Sequence, residues 1–130
     1  VRNAGLAFVS RPVATRVERT TTPFTSGFEP GAMLRLPVAH GDGRYVADAE
    51  TLARLEGEGE VVLRYVPPPG GSEPDTPNGS MHDIAGVSNP AGNVIGIMPH
   101  PERLADPALG APEGLTFFTS LAAAAAGAER

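Results

Sequence analysis

The alternation of apolar and polar positions predicts strands near the start of the chain. Val13, Thr15 and Val17 occupy alternate positions within residues 6–19, and a period of two is typical of a half-buried strand. We therefore expect one or two strands in this segment. Residues 20–31 hold three consecutive threonines, two prolines and two glycines, a composition that predicts a loop.

A further strand and a tight turn are expected after that loop. Residues 33–39 are apolar apart from Arg35. Because Pro37 has no backbone N–H to donate to a neighbouring strand, a strand here should lie at an edge of the sheet or end near the proline. Residues 40–43, with the sequence His-Gly-Asp-Gly, predict a turn.

The middle of the chain predicts one short helix and another strand. Residues 48–55 fit two helical turns, with Asp48 as the N-cap and with Leu52 and Leu55 on one face. Residues 61–66, which are apolar or aromatic apart from Arg64, form a compact segment that favours a strand.

Turn-forming residues separate this strand from a hairpin. Residues 67–78 are rich in Pro, Gly, Ser and Asn, so we expect a surface excursion there rather than a boundary between two domains. Two apolar runs, 84–87 and 94–98, then flank the sequence Asn-Pro-Ala-Gly-Asn. This pattern predicts a β-hairpin.

The alanine-rich end of the chain predicts a helix over residues 113–126, which follows an irregular segment. Its apolar residues recur at helical spacing and should face the core. The residues predicted to form this face are Leu115, Phe117, Phe118, Leu121, Ala122 and Ala125.

Composition narrows the class of protein. The 130 residues include 14 Pro and 16 Gly, too many turn formers for a bundle of long helices. The length and the apolar fraction suit an α/β domain with one core. The longest apolar run is far shorter than the roughly 20 residues of a membrane span. A net charge of −5 makes nucleic acid an unfavourable partner.

The candidate chemistry lies at Pro99-His100-Pro101-Glu102, directly after the second strand of the hairpin. In extended backbone, residues two apart point to the same side, so His100 and Glu102 can share one face. A carboxylate that accepts from one imidazole nitrogen fixes the tautomer and leaves the other nitrogen free to act as a base. The nucleophile is missing, because the chain has no cysteine.

Other interpretations of the polar residues stay open at this stage. Glu102 can instead pair with Arg103 or Arg11 in solvent while His100 ends the strand. A metal site would need a third ligand, and none of the candidate pairs has a characteristic spacing; we therefore expect no metal. The candidate ligands are His40, Asp42, His82 and Asp83. His40 is either a turn residue, which is favoured, or part of an exposed functional loop, and His82 with Asp83 is favoured as a solvated pair. Neither Ser80 nor Ser120 lies in the strand-to-helix turn that holds the nucleophile of a serine hydrolase.

Several motifs together resemble one family, the glutaminase subunit of phosphoribosylformylglycinamidine synthase, a class I glutamine amidotransferase. The resemblance covers most of the chain except residues 67–76 and the alanine-rich end. The motifs that carry it are FVSR at 8–11, TRVE at 15–18, PFT at 23–25, LPVAHGDGRY at 36–45, PNGS at 77–80, IAGV at 84–87 and GNVIGIMPHPER at 92–103.

The resemblance implies a Cys-His-Glu triad that hydrolyses glutamine to glutamate and ammonia, with His100 as the base and Glu102 as its orienter. It implies a flavodoxin-like layered α/β fold, of which residues 1–130 would be the C-terminal part of a single glutamine amidotransferase domain. The nucleophilic cysteine would precede Val1, so this chain alone should be inactive. The glutamine-binding residues are not identified.

The resemblance also implies partners and a setting. The ammonia would pass to a synthetase subunit, with or without a small bridging subunit, which uses ATP and magnesium to convert formylglycinamide ribonucleotide to formylglycinamidine ribonucleotide in purine biosynthesis. This chain would bind no cofactor, and the location would be cytoplasmic. The alternative hypothesis is a non-catalytic α/β module that docks on a synthetase partner through residues 40–45.

Overall fold

Residues 1–110 and 112–128 are described by a computed structural model, in which a five-stranded sheet is combined with two α-helices. The strands are β1 (Val9–Val17), β2 (Met33–His40), β3 (Val61–Tyr65), β4 (Ile84–Ser88) and β5 (Ile95–Ile97). The helices are α1 (Ala49–Gly57) and α2 (Leu115–Ala128). The combination of sheet and helices agrees with the predicted α/β class.

The strands lie in the order β2-β1-β3-β4-β5, and each neighbouring pair is antiparallel. The predicted edge position of the strand that contains Pro37 is confirmed, since β2 ends the sheet. Pro37 lies opposite Pro12 of β1, in a part of β1 that precedes its pairing with β3 at residues 15–17. Neither proline therefore interrupts a ladder between three strands.

Local signals in the sequence account for α1 and for the hairpin. Asp48 caps α1, and its side chain accepts a 2.7 Å hydrogen bond from the backbone N–H of Thr51, which satisfies a donor that the first helical turn leaves free. Leu52 and Leu55 are buried, as predicted. The predicted hairpin is confirmed by the pairing of β4 with β5.

Buried apolar residues form two clusters rather than the single core expected from composition. The larger cluster lies between β1, β2, β3 and α2; the smaller one lies beneath α1. Two helices pack separately on the sheet, and each brings its own apolar residues. The larger cluster contains Val13, Val17, Leu36, Val38, Leu63, Tyr65, Ala85 and Phe117, and the smaller contains Leu52, Leu55, Val61 and Ile84.

The face of α2 that packs on the protein differs from the prediction. Phe117 and Ser120 are buried, whereas Phe118 and Leu121 are 44% and 40% exposed. The reason is a polar anchor, because Ser120 Oγ accepts a 3.0 Å hydrogen bond from the N–H of Gly27 and donates to the carbonyl of Thr116 at 2.6 Å. At 14 residues α2 is the longer helix, and in the described ranges no helix has both the length and the apolar character needed to cross a bilayer.

Candidate active site

The backbone around His100 is held by hydrogen bonds to β2 and to β4. It lies three residues after the end of β5. Its own N–H donates to the carbonyl of Pro37 on β2 at 2.8 Å, and the N–H of Met98 donates to the carbonyl of Ala85 on β4 at 3.0 Å. The chain therefore leaves β5, one edge strand, and is fixed to β2, the other edge strand, at the residue that carries the imidazole.

The structure brings the imidazole of His100 and the carboxylate of Glu102 together. His100 Nδ1 lies 2.7 Å from Glu102 Oε1. The expected reason for this proximity is wrong, because Glu102 is not in extended backbone but in a 3-10 turn at Pro101–Leu104. Pro101 begins that turn, a position where its fixed φ and missing N–H carry no penalty. The turn, rather than the alternation of a strand, brings Glu102 back toward His100.

This contact sets the protonation pattern of the ring. A carboxylate can only accept, so His100 Nδ1 carries the proton and Nε2 is left with its lone pair. In the described part of the chain no hydrogen bond reaches Nε2. The side chain is 33% exposed, so a reacting group can approach that nitrogen. The arrangement is that of a base with its orienter.

Glu102 is charged at neutral pH. Partial burial opposes its charge, but the hydrogen bond from His100, a backbone hydrogen bond and the charges of His100 and Arg103 outweigh that effect and lower the pKa of Glu102 below its usual value. Its side chain is 56% exposed, so solvent screens these interactions in part.

The alternative ion pairs of Glu102 are not formed. Arg11 pairs with Asp75, with a 2.6 Å contact between Nη2 and Oδ1, and Arg103 acts on Glu102 through its charge. The alternative in which Glu102 forms an ion pair with Arg11 or Arg103 in solvent is therefore wrong. His100 is its hydrogen-bond partner.

The prediction of His40 as a turn residue is wrong, because His40 belongs to a strand and is buried. It is the last residue of β2, 8% exposed. The turn after it is held by two asparagine side chains: Asn3 Oδ1 accepts from the N–H of Gly43 at 3.0 Å, and Asn78 Nδ2 donates to the carbonyl of Gly43 at 2.8 Å.

Asn78 is the residue that the sequence interpretation missed. It falls at the end of the stretch predicted to be a surface excursion, yet it is 1% exposed and makes several hydrogen bonds. The rest of the excursion is largely exposed, as expected. The available signal was the dipeptide Asn78-Gly79, which favours a fixed turn, and Gly79 indeed has φ of 75°.

The remaining candidates lie apart from His100. His82 contacts Glu56, with 3.2 Å between Nδ1 and Oε1, and Thr76 donates to Asp83. Among residues 1–110 and 112–128, no group of three or more His, Asp or Glu side chains is arranged to hold a metal ion. Ser80 Oγ donates to Asn78 Oδ1, so this hydroxyl serves the buried cluster.

A groove of about 300 Å³ lies against β4 and β5 beside the turn at residues 42–45. It is mostly apolar, and its lining includes Tyr45, Ile97 and Met98. Neither His100 nor Glu102 lines this groove. The pair is therefore separate from this groove, and its two side chains are 33% and 56% exposed.

The fold and the His-Glu pair fit a glutamine amidotransferase, and comparison with known families agrees. A family model described as "CobB/CobQ-like glutamine amidotransferase domain" matches residues 1–111, and the chain belongs to this family. The resemblance noted from the motifs is confirmed.

Two similar curated proteins carry the same name. The chain is 57% identical over 120 residues to phosphoribosylformylglycinamidine synthase subunit PurQ from Thermus thermophilus, covering 92% of this chain and 52% of that protein. It is 54% identical over 125 residues to the subunit of the same name from Rubrobacter xylanophilus, covering 96% and 53%. The chain thus spans about half the length of the curated relatives it matches.

A solved structure supports the fold. The chain superimposes on a chain of the structure of PurLQS from Thermotoga maritima with a TM-score of 0.74 and 40% identity, covering 93% of this chain and 50% of that one. The predicted class I glutamine amidotransferase fold is therefore confirmed for the part described.

Proposed function

We propose that this chain supplies the base and the orienter of a Cys-His-Glu glutaminase, as part of the glutaminase subunit of phosphoribosylformylglycinamidine synthase. The observation that carries the proposal is the 2.7 Å contact between His100 Nδ1 and Glu102 Oε1, which leaves Nε2 available to a nucleophile. The match to PurQ relatives supports it. Residues 1–130 then form the C-terminal part of one glutamine amidotransferase domain.

The nucleophile is a cysteine outside the printed sequence, since these residues contain no thiol. His100 Nε2 takes the thiol proton as sulfur attacks the side-chain carbonyl of glutamine. The C–N bond breaks, and the imidazolium gives that proton to the departing ammonia. Water then attacks the thioester with His100 again as base, and glutamate and the thiol are released. Glu102 holds the ring and stabilises its charged form throughout.

The complete enzyme requires a synthetase subunit. We propose that this partner receives the ammonia and uses ATP and magnesium to convert formylglycinamide ribonucleotide to formylglycinamidine ribonucleotide, in the cytoplasm. The names of the relatives describe a subunit of a synthase, which supports a partner of this kind. We assign the use of ATP and magnesium to the partner, and this chain takes part in the hydrolysis of glutamine.

The test uses a fusion in which the N-terminal half of the Thermus thermophilus relative precedes these residues. The fusion should release ammonia from glutamine, and the chain alone should not. His100→Gln should lower the rate about 10²-fold or more, since it removes the general base. His82→Gln is the matched control, because His82 also contacts a glutamate but lies elsewhere, and it should leave the rate unchanged.

Two results would contradict the proposal. One is a His100→Gln fusion that turns over glutamine at the parent rate. The other is a folded parent fusion that binds the synthetase but releases no ammonia, which is the behaviour of the non-catalytic docking module.

A further inference from the structure

The imidazole of His40 is buried and has no role in the chemistry proposed above. Its Nδ1 atom has no hydrogen-bond partner among the described residues. Gly43 packs across the ring so closely that a Cβ at that position would lie 2.5 Å from it. A buried polar nitrogen without a partner is uncommon and costs free energy, so the state of this ring is informative.

Asn78 determines that state, because backbone groups fix the orientation of its amide. Asn78 Oδ1 accepts from the N–H of Ser80 at 3.0 Å, and Nδ2 donates to the carbonyl of Gly43 at 2.8 Å. A backbone N–H only donates and a carbonyl only accepts, so the amide cannot be turned over. One hydrogen of its NH₂ group therefore points to the Gly43 carbonyl, and the other is shared between the Tyr65 hydroxyl at 3.2 Å and His40 Nε2 at 3.3 Å.

This arrangement opposes protonation of His40. An amide nitrogen does not accept hydrogen bonds, so His40 Nε2 carries its lone pair and the proton of the neutral ring is on Nδ1. An imidazolium would need an acceptor at both nitrogens. It would find a donor at Nε2 and, at Nδ1, no acceptor in hydrogen-bond geometry among the described residues, so that only the weaker influence of its own backbone favours the charged ring.

The surrounding charges act in the same direction. Burial lowers the pKa of His40, its own backbone opposes this effect in part, and the charge of His100 lowers the pKa further. Tyr65, whose hydroxyl lies 3.2 Å from Asn78 Nδ2, stays neutral because burial raises its pKa to about 12. In the turn, Asp42 is exposed and Arg44 Nε donates to the carbonyl of Gly79 at 3.1 Å.

His40 belongs to β2, and the backbone of His100 is hydrogen-bonded to the same strand. His40 ends β2, and the N–H of His100 is bonded to the carbonyl of Pro37, three residues earlier. The charge of His100 acts on the ring of His40, so a positive charge on His40 would in turn repel the imidazolium of His100 and weaken it as a base.

We propose that His40 is a positioning residue for His100: Asn78 locks its ring in the neutral form, so that the proton taken up during the reaction stays on His100 alone. This inference rests on the proposed function. It gives a chemical role to the buried contacts between His40, Gly43 and Asn78.

The first test is the protonation of His40 in the unsubstituted chain, which has three histidines. Long-range ¹H–¹⁵N spectra of histidine-labelled protein should show His40 still neutral, with its proton on Nδ1, at pH values below the usual histidine pKa of about 6.5. Protonation at or above the usual pKa, or a proton on Nε2, would overturn the proposal.

The second test converts the donor into an acceptor. Asn78→Asp places a carboxylate at His40 Nε2, so His40 should become charged. The charge of His40 should then make His100 titrate at lower pH in Asn78→Asp than in the double variant that also carries His40→Gln, since the added carboxylate is common to both. An equal shift of His100 with and without His40 would indicate a merely structural role and overturn the proposal.

These titrations do not depend on turnover. They therefore separate the role of His40 from the proposed glutaminase activity, which the ammonia assay with His100→Gln tests. Should Asn78→Asp fail to fold, the tautomer of His40 in the unsubstituted chain decides the question.

Discussion

The backbone N–H of His100 donates a 2.8 Å hydrogen bond to the carbonyl of Pro37. Pro37 lies on β2 at one end of the sheet, while His100 follows β5 at the other end. The bond requires the sheet to curl until its two edges approach each other. The candidate base is thus positioned by the curvature of the whole sheet.

Glu102→Gln in the fusion should lower the rate of ammonia release by roughly 10²- to 10⁴-fold. The substitution removes the negative charge that orients the ring and stabilises the imidazolium, as loss of the third member does in other triads. Steady-state kinetics of ammonia release measures the effect. Glu58→Gln is the control, because its side chain is equally exposed, at 56% for both residues.

The rate should be unchanged in the Glu58→Gln control. A Glu102→Gln enzyme as active as that control would show that the contact with His100 has no catalytic consequence.

Gly114→Ala should destabilise the protein and reduce activity. Gly114 packs on Pro101 with no space for a Cβ, which would overlap the Pro101 carbonyl. The 3-10 turn that carries Glu102 must then shift. We expect a loss of about 1–3 kcal/mol in the free energy of unfolding, measured by urea denaturation.

Gly127→Ala serves as its counterpart, since Gly127 lies in α2 with open space around its Cα. Alanine should be neutral or slightly stabilising there. Equal stability of the two variants would contradict the packing described at Pro101.

Stability should decline at alkaline pH because of Tyr65. Burial raises the pKa of its hydroxyl to about 12, although the hydrogen bond from Asn78 opposes this in part. The unfolded chain loses the proton near pH 10, so stability is fully present below that pH and falls as pH rises toward about 12. The loss should be on the order of 2 kcal/mol.

Urea denaturation between pH 9 and 12 measures this decline. Tyr65→Phe should flatten it, and Tyr45→Phe, a substitution of the other tyrosine, should leave it unchanged. A decline of the same size in Tyr65→Phe would assign it to other groups.

Local signals in the sequence account for much of the fold. The missing N–H of Pro37 places β2 at an edge, the side chain of Asp48 caps α1, and turn residues define the β4–β5 hairpin. Each of these effects acts over a few residues, so it can be interpreted without knowledge of the tertiary structure.

The errors concern contacts between distant parts of the chain. Asn78 is buried because its amide bridges to Gly43, 35 residues away. Ser120 anchors α2 through Gly27, 93 residues away, so Phe118 remains exposed although its spacing fits the predicted face. Such partners leave no periodic pattern in the sequence.

The candidate site contains one feature that local sequence predicts and one that depends on distant contacts. The short spacing of His100 and Glu102 was sufficient to bring them together, although a 3-10 turn replaced the expected extended backbone. The neutral state of His40 could not be inferred, because it depends on an amide whose orientation is fixed by two remote backbone groups.

The central claim is that Glu102 holds His100 with Nε2 free to act as a base. The most direct measurement is the tautomer of neutral His100, read from ¹⁵N shifts of the histidine-labelled chain above the pKa of the ring. Our account predicts the proton on Nδ1 and a lone pair on Nε2, with this preference weakened by Glu102→Gln. A proton on Nε2, or a tautomer unaffected by Glu102→Gln, would contradict it.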